Sequence, residues 1–422
     1  MLYHFPYEWA EPVEVPDDDL IGVFAPREGV DAADEESTIA RGFAGPIGSP
    51  VLKEQVRGAN RVLILVDDVS RPTPAARLIP YVLKELAAGG VGRVGISFLM
   101  SLGTHRAMTD AEIDAKLGPG VRGAFAVTNH RWDDLAQMVN LGKTSVGTDV
   151  LVNKALTRAD FVIGIGNIVP HPAAGFAGGG KIVDPGCVSD ETCGAFHWES
   201  VKYPALDVIG VRDNPMMRMI DEVAERAGLK FIVNTVLDGA GRIVRVVTGH
   251  PVESHVEGCK TAVEVYGVTI RERADIVIAD SHPADLEMWQ AIKGLCTADL
   301  VMKDGGVVIM ATPCPDGASE EHPELERYGY LPWAKTAKLV ESGEVSMVVG
   351  HHMVQGGRLL ERARRVYLVS RCLSDSTIRR LGFEPARTVR QAFDEARAIL
   401  GEPTRTAILR SAAELFPVVE GQ

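Results

Sequence analysis

The chain has 422 residues, 46% of them hydrophobic, and a formal net charge of −13. That charge excludes a broad nucleic-acid surface, which needs clustered Lys and Arg, though a locally basic pocket for a small anion remains compatible with it. No apolar run reaches the ~18 residues of a membrane span, and the N-terminus lacks a basic stretch followed by an apolar one, so neither a membrane protein nor a signal peptide is expected.

At about 150 residues per domain the length predicts two or three domains. "RVLILVDD" (61–68) is an apolar strand ending in acids, and "AARLIPYVLKELAAGG" (75–90) follows with helical spacing and a glycine stop. "RVGISFLMSLGTH" (93–105) is a second strand, and "DAEIDAKLG" (110–118) a helix with Thr109 as its cap. "ADFVIGIGNIVPH" (159–171) is a third strand. "KFIVNTVLDGAGRIVRVVTGH" (230–250) is two alternating runs about Asp238-Gly239-Ala240-Gly241, which predicts a hairpin, and 255–267 a helix. A second alternating series begins near Ala274, with strands expected over 274–280, 305–314, 344–352 and 365–370. Continuous apolar strands separated by helices imply parallel pairing. The fold expected is two Rossmann-like α/β domains, residues 1–270 and 271–422, with mostly parallel sheets and an active-site cleft between them. The six cysteines are scattered and form no CxxC, so reduced thiols of a cytoplasmic protein are expected, with Cys187 and Cys193 as small buried thiols.

Ligands of open parallel sheets bind at the carboxyl ends of the strands, so the polar residues there are the candidates. The first strand ends in "VDDVSRPTP", where Asp68 can orient a histidine and Arg71 can hold a carboxylate by two hydrogen bonds; the same pair can simply fix a turn. The second ends at His105, a candidate general base. The third leads through His171 into "GFAGGGKIVDPG". Gly178, Gly179 and Gly180 permit close backbone approach to a ligand, positive φ or an anion nest. Gly175 to Lys181 fits the opening of a P-loop, but Ile182 stands where Ser or Thr would hold Mg²⁺. Lys181 then reads as a phosphate-binding lysine of an ATP-dependent enzyme, a Schiff-base lysine for pyridoxal phosphate, or an attachment point for another cofactor. His197 is a potential ligand for nickel, copper or zinc. In the second half Gln290 and Lys293 share one helix face, Trp289 packs or walls a pocket, and His351 and His352 are expected at a strand end as pocket residues.

The pieces "DDVSRPTP", "GTHR", "PHPAAGFAGGGKIVDPG", "ETCGAFH" and "QAIK", in this order and spacing, resemble the nickel-dependent lactate racemase family over nearly the whole chain. The resemblance implies a racemase or epimerase of a 2-hydroxy acid, working by proton-coupled hydride transfer through a 2-keto acid. It implies a nickel-pincer nucleotide, a pyridinium mononucleotide with sulfur arms, attached covalently at Lys181, with His197 completing nickel coordination. His105 and His171 match the acid–base pair, Asp68 and Arg71 the polar pair beside the site, and Gln290 and Lys293 the residues of the second domain that meet the substrate. Lys293, with Arg71, is expected to polarise the developing carbonyl. Cofactor-making enzymes are the implied partners, with a small anionic 2-hydroxy acid as substrate. Trp289 stands where the family has tyrosine, which leaves lactate, malate and larger 2-hydroxy acids all open. The competing readings are the ATP- or pyridoxal-phosphate-dependent enzyme and a non-catalytic carrier of nickel or cofactor.

Overall fold

The structure is a computed structural model and describes residues 1–29, 34–145 and 147–420. The chain forms two compact units. One contains Arg27–Ser200 and Val211–Val265; the other contains Met1–Pro26, Val201–Gly210 and Tyr266–Gln422. This differs from the contiguous division at residue 270. Strand Leu20–Phe24 pairs in parallel with Thr406–Leu409, and its hydrogen bonds assign the N-terminal segment to the unit that holds the C-terminus.

The larger unit holds a six-stranded sheet in the order Ile243–Gly249, Leu229–Leu237, Phe161–Asn167, Val62–Asp67, Ile96–Ser101, Ala126–Asn129. All pairs are parallel except the hairpin Leu229–Leu237 with Ile243–Gly249. Residues Val62 to Val66 are all buried, as a strand covered by helices on both faces requires. Helix Ala75–Ala88 packs Leu78, Ile79, Val82 and Leu86 into the core with Ile64 and Val66. Helix Asp110–Leu117 starts in a full capping box between Thr109 and Glu112.

The second unit holds a six-stranded sheet, all parallel, in the order Glu384–Pro385, Arg365–Val369, Met302–Ala311, Ala274–Asp280, Thr406–Leu409, Leu20–Phe24. Its core brings Ile276, Ile278, Val307, Ile309 and Ile408 against Phe393 and Tyr3. Residues 344–352, expected as a strand, form instead the N-terminal approach, through the Ser346 cap, and the first turns of helix Met347–Arg362. Ser346 caps it by accepting from the Val349 amide, and the apolar run Met347–Val349 is only the first turn of a longer helical pattern. His351 and His352 therefore lie within a helix rather than at a strand end. No helix among the described residues is long and apolar enough to cross a membrane.

Candidate active site

Three adjacent parallel strands of the larger unit, Phe161–Asn167, Val62–Asp67 and Ile96–Ser101, end at the same edge of their sheet. The loops after them carry His171, Asp68 with Arg71, and His105. The Asp68 carboxylate meets His105 Nδ1 at 2.5 Å. Burial raises the Asp68 pKa, but His105, Arg71 and the Ser70 hydroxyl together outweigh it and hold the carboxyl well below its usual range. Ser70 Oγ donates to Asp68 Oδ1 at 2.5 Å and accepts from Arg71 Nη1 at 2.9 Å. The chain Arg71–Ser70–Asp68–His105 thus orients two side chains at once. An ionised acceptor keeps the proton on His105 Nδ1, and neutral His105 presents its lone pair from Nε2, the arrangement of a general base.

His171 is set the other way. Its Nδ1 accepts from the Ala173 amide at 3.2 Å, so the neutral ring carries its proton on Nε2. The two-residue strands Pro170–His171 and Gly175–Phe176 pair antiparallel, His171 opposite Gly175, and fix the buried imidazole.

The glycine stretch forms a short 3₁₀ turn, Gly179–Ile182. Gly178 and Gly179 have φ of 83° and 58°. A Cβ on Gly179 would lie 2.7 Å from the His255 ring, and one on Gly178 2.8 Å from Ile168 and 3.0 Å from Asn234 Oδ1. Gly180 is pressed on Ala224 and Ile220. The glycines are thus required by packing against this unit's own residues. The Gly179 amide donates to Asn234 Oδ1 at 2.8 Å and the Lys181 amide to Gly178 O at 3.2 Å, so two amides that a phosphate cradle would use are spent internally. His255 Nε2 sits 2.9 Å from Ala177 O. Asn234 and His255 hold this loop, and neither stood out in the sequence; their only signal is a buried polar residue in an apolar strand and a histidine on a helix. We expect Gly179→Ala, which meets both a positive φ and the His255 ring, to cost about 1–3 kcal/mol in denaturant unfolding.

The turn presents Lys181 inside the protein. Burial, then the charge of Arg71, lower its pKa to about 7, so the amine is partly neutral near neutral pH. Its Nζ lies 5.6 Å from the centroid of the Phe196 ring. Burial raises the Asp184 carboxyl to about 8, with Lys181 opposing, and Asp184 Oδ1 is buried without a hydrogen bond among the described residues. Asp184 is a further polar group of this site that the sequence alone did not single out. Helix Asp190–Ser200 carries His197, whose ring lies 3.9 Å from that of Phe196. His197 Nδ1 lies 2.8 Å from the Cys193 carbonyl, one helical turn back; it donates there, and Nε2 keeps its lone pair. Lys116 Nζ completes the scaffold. It pairs with Asp67 at 2.8 Å and donates to the carbonyls of Asp68 and Arg71 at 2.8 Å each, pinning the loop between them. The histidine loop and the lysine loop are tied by Gly103 N–H donating to Gly186 O at 3.1 Å.

Gln290, Lys293 and Trp289 belong to the other unit. Helix Met288–Val301 puts Gln290 and Lys293 on one face, with Lys293 Nζ donating to Gln290 Oε1 at 2.5 Å. Trp289 is buried between two imidazoles, its ring 4.1 Å from His322 and 3.5 Å from His352. Among the described residues no group of three or more His, Cys, Asp or Glu could hold a metal ion.

Comparison with known proteins matches the lactate racemase N-terminal domain over residues 8–207 and the lactate racemase C-terminal domain over residues 269–414. A lactate racemase of Thermoanaerobacterium thermosaccharolyticum is 30% identical over 330 residues, 77% of this chain and 75% of that one. The chain belongs to the lactate racemase family. A second family member, the lactate racemase of Lactiplantibacillus plantarum, is 28% identical over 89% of each chain. The lactate racemase apoprotein of T. thermosaccharolyticum superposes with a TM-score of 0.88 at 26% identity, covering 99% of this chain and 100% of that one. A Thermotoga maritima protein shares the fold at 18% identity, with a TM-score of 0.72 over 94% of this chain and 100% of that one. The two α/β units and their mostly parallel sheets are thus those of the lactate racemase family, and its named members are isomerases.

Proposed function

We propose that the protein racemises or epimerises a 2-hydroxy acid with a nickel-pincer nucleotide attached at Lys181. The observation that carries this reading is the pairing of two differently held histidines, His105 with Nδ1 against the Asp68 carboxylate and His171 with Nδ1 accepting from the Ala173 amide, in the unit that buries Lys181. His197, its Nδ1 held by the Cys193 carbonyl, is the nitrogen ligand this reading assigns, and among the described residues no group of three or more His, Cys, Asp or Glu could hold a metal ion. A metal held here needs most of its donors from a bound organic group, and a covalently fixed cofactor with its own sulfur and carbon donors meets that need. The partly neutral amine of Lys181 suits the covalent bond, and the Phe196 ring beside both Lys181 and His197 suits a flat pyridinium body.

When bound, that group supplies acceptance of hydride from C2 and its return to either face. The residues do the rest. Arg71 anchors the substrate carboxylate by its guanidinium fork, held in direction by Ser70. One histidine takes the hydroxyl proton as hydride leaves C2, which yields a planar 2-keto acid instead of a doubly charged carbanion. The other histidine would serve the opposite enantiomer, each ring giving the proton back to the hydroxyl oxygen as the 2-hydroxy acid re-forms. The family resemblance assigns carbonyl polarisation and substrate contact to Gln290 and Lys293 and places Trp289 beside them; within their own unit Lys293 Nζ donates to Gln290 Oε1. Enzymes that make the cofactor are required partners.

The internally bonded amides of the glycine turn and Ile182 count against the P-loop reading. The deciding experiment is intact-protein mass spectrometry with metal analysis after co-expression with cofactor-making enzymes. One nickel per chain and an adduct mapped to Lys181 are expected. Neither, beside a loaded lactate racemase from the same host, sinks the proposal. In the same preparation His197→Ala is expected to keep the adduct and lose most of its nickel, read as the metal-to-protein ratio; undiminished nickel would remove His197 from the ligand set.

A further inference from the structure

The second unit contains a cavity of about 540 Å³ that the racemase chemistry does not use. Its size lies within the ~300–1,000 Å³ of small-molecule sites. Four cations line it, Lys202, Arg273, Arg358 and Arg362, against two carboxylates, Asp299 and Glu361. That is a local excess of positive charge on a chain whose net charge is −13. Arg362 is committed, bound to Asp299 at 2.7 Å and Asp304 at 2.8 Å. Arg358 is not. It is half-buried, its Nη2 donates to the Val201 carbonyl, and among the described residues no carboxylate lies within ion-pairing distance of it. A half-buried guanidinium with donors left over is placed to take a carboxylate or phosphate by paired hydrogen bonds.

The remaining wall is apolar. Tyr203 is half-buried and its hydroxyl makes no hydrogen bond among the described residues, while Leu206 is 37% exposed at the rim. Both lie on Val201–Gly210, the segment that leaves helix Asp190–Ser200 and belongs to this unit although the residues on either side of it do not. Asp299 is shared as a counter-charge by Arg362, Arg273 and Arg358, so the cations of this cavity outnumber its carboxylates, beside a half-buried tyrosine and an exposed leucine.

We propose that this cavity binds a small organic anion, with a carboxylate or phosphate on Arg358 and a flat apolar body against Tyr203 and Leu206. The site is independent of the cofactor reading. Val201, whose carbonyl accepts from Arg358, follows in sequence directly on the helix that bears His197.

The test is isothermal titration of the full-length protein with phenyl phosphate and, separately, phenylacetate. Saturable binding of at least one is expected, unchanged in Arg71→Ala and weakened at least tenfold in both Arg358→Gln and Tyr203→Ala. Arg358→Gln also disturbs the Val201 bond, whereas Tyr203→Ala leaves it intact, so the second variant separates a lost ligand contact from a displaced segment. Binding of only one compound assigns the headgroup as phosphate or carboxylate. No saturable binding of either overturns the proposal, as does binding that survives Tyr203→Ala or disappears in Arg71→Ala.

Discussion

Lys181→Ala protein, made alongside the cofactor-making enzymes, is expected to carry no covalent adduct and to show no detectable racemisation. A buried amine whose pKa falls to about 7 is a nucleophile at neutral pH, and no other lysine is presented by the glycine turn. Lys181→Arg is expected to fail equally, because a guanidinium keeps the charge and loses the nucleophile. Thermal unfolding of both variants separates this from misfolding. Removing an amine that burial holds partly neutral costs little stability, whereas the glycine neighbours carry the packing. An adduct of unchanged mass on folded Lys181→Ala protein would place the attachment elsewhere.

His105→Ala and His171→Ala are each expected to lower the interconversion of single-enantiomer 2-hydroxy acids by about 10²–10⁴-fold, the usual worth of a positioned acid–base group. Nickel and adduct should stay at wild-type levels, since neither ring is assigned to hold them. Asp68→Asn should fall in the same direction. An amide in place of the carboxylate loses the charged acceptor 2.5 Å from His105 Nδ1 and with it the tautomer that leaves Nε2 basic. Chiral chromatography from each enantiomer reads all three variants. Normal turnover in either histidine variant would break the two-base scheme, and turnover in Asp68→Asn equal to wild type would reduce Asp68 to a turn residue.

The strands that position these groups were legible because each is a continuous apolar run flanked by glycine or acids, and a parallel sheet buried on both faces leaves no other pattern. Residues 344–352 misled for the same reason. Three apolar residues near a helix start satisfy a strand and a helix equally, and only the later turns of Met347–Arg362 decide between them. The loop-tip residues could be read from local motifs. Their supports could not. Asn234 reaches Gly179 across 55 residues and His255 reaches Ala177 across 78, and no local spacing encodes such pairs. The N-terminal segment was opaque likewise, since the partner of Leu20–Phe24 lies at Thr406–Leu409.

That last pairing has a consequence for how the protein tolerates cutting. Leu20–Phe24 is the edge of its sheet, and Thr406–Leu409 behind it is buried throughout. Removing the first 26 residues would bare the unpaired amides and carbonyls of an apolar strand, the template on which chains stack edge to edge. The same cut would take Tyr3, Phe5, Val13 and Val15 out of that unit's core, so a trimmed protein would lose packing as well as gain a strand edge on which copies can pair, while the loops of the larger unit keep their sequence.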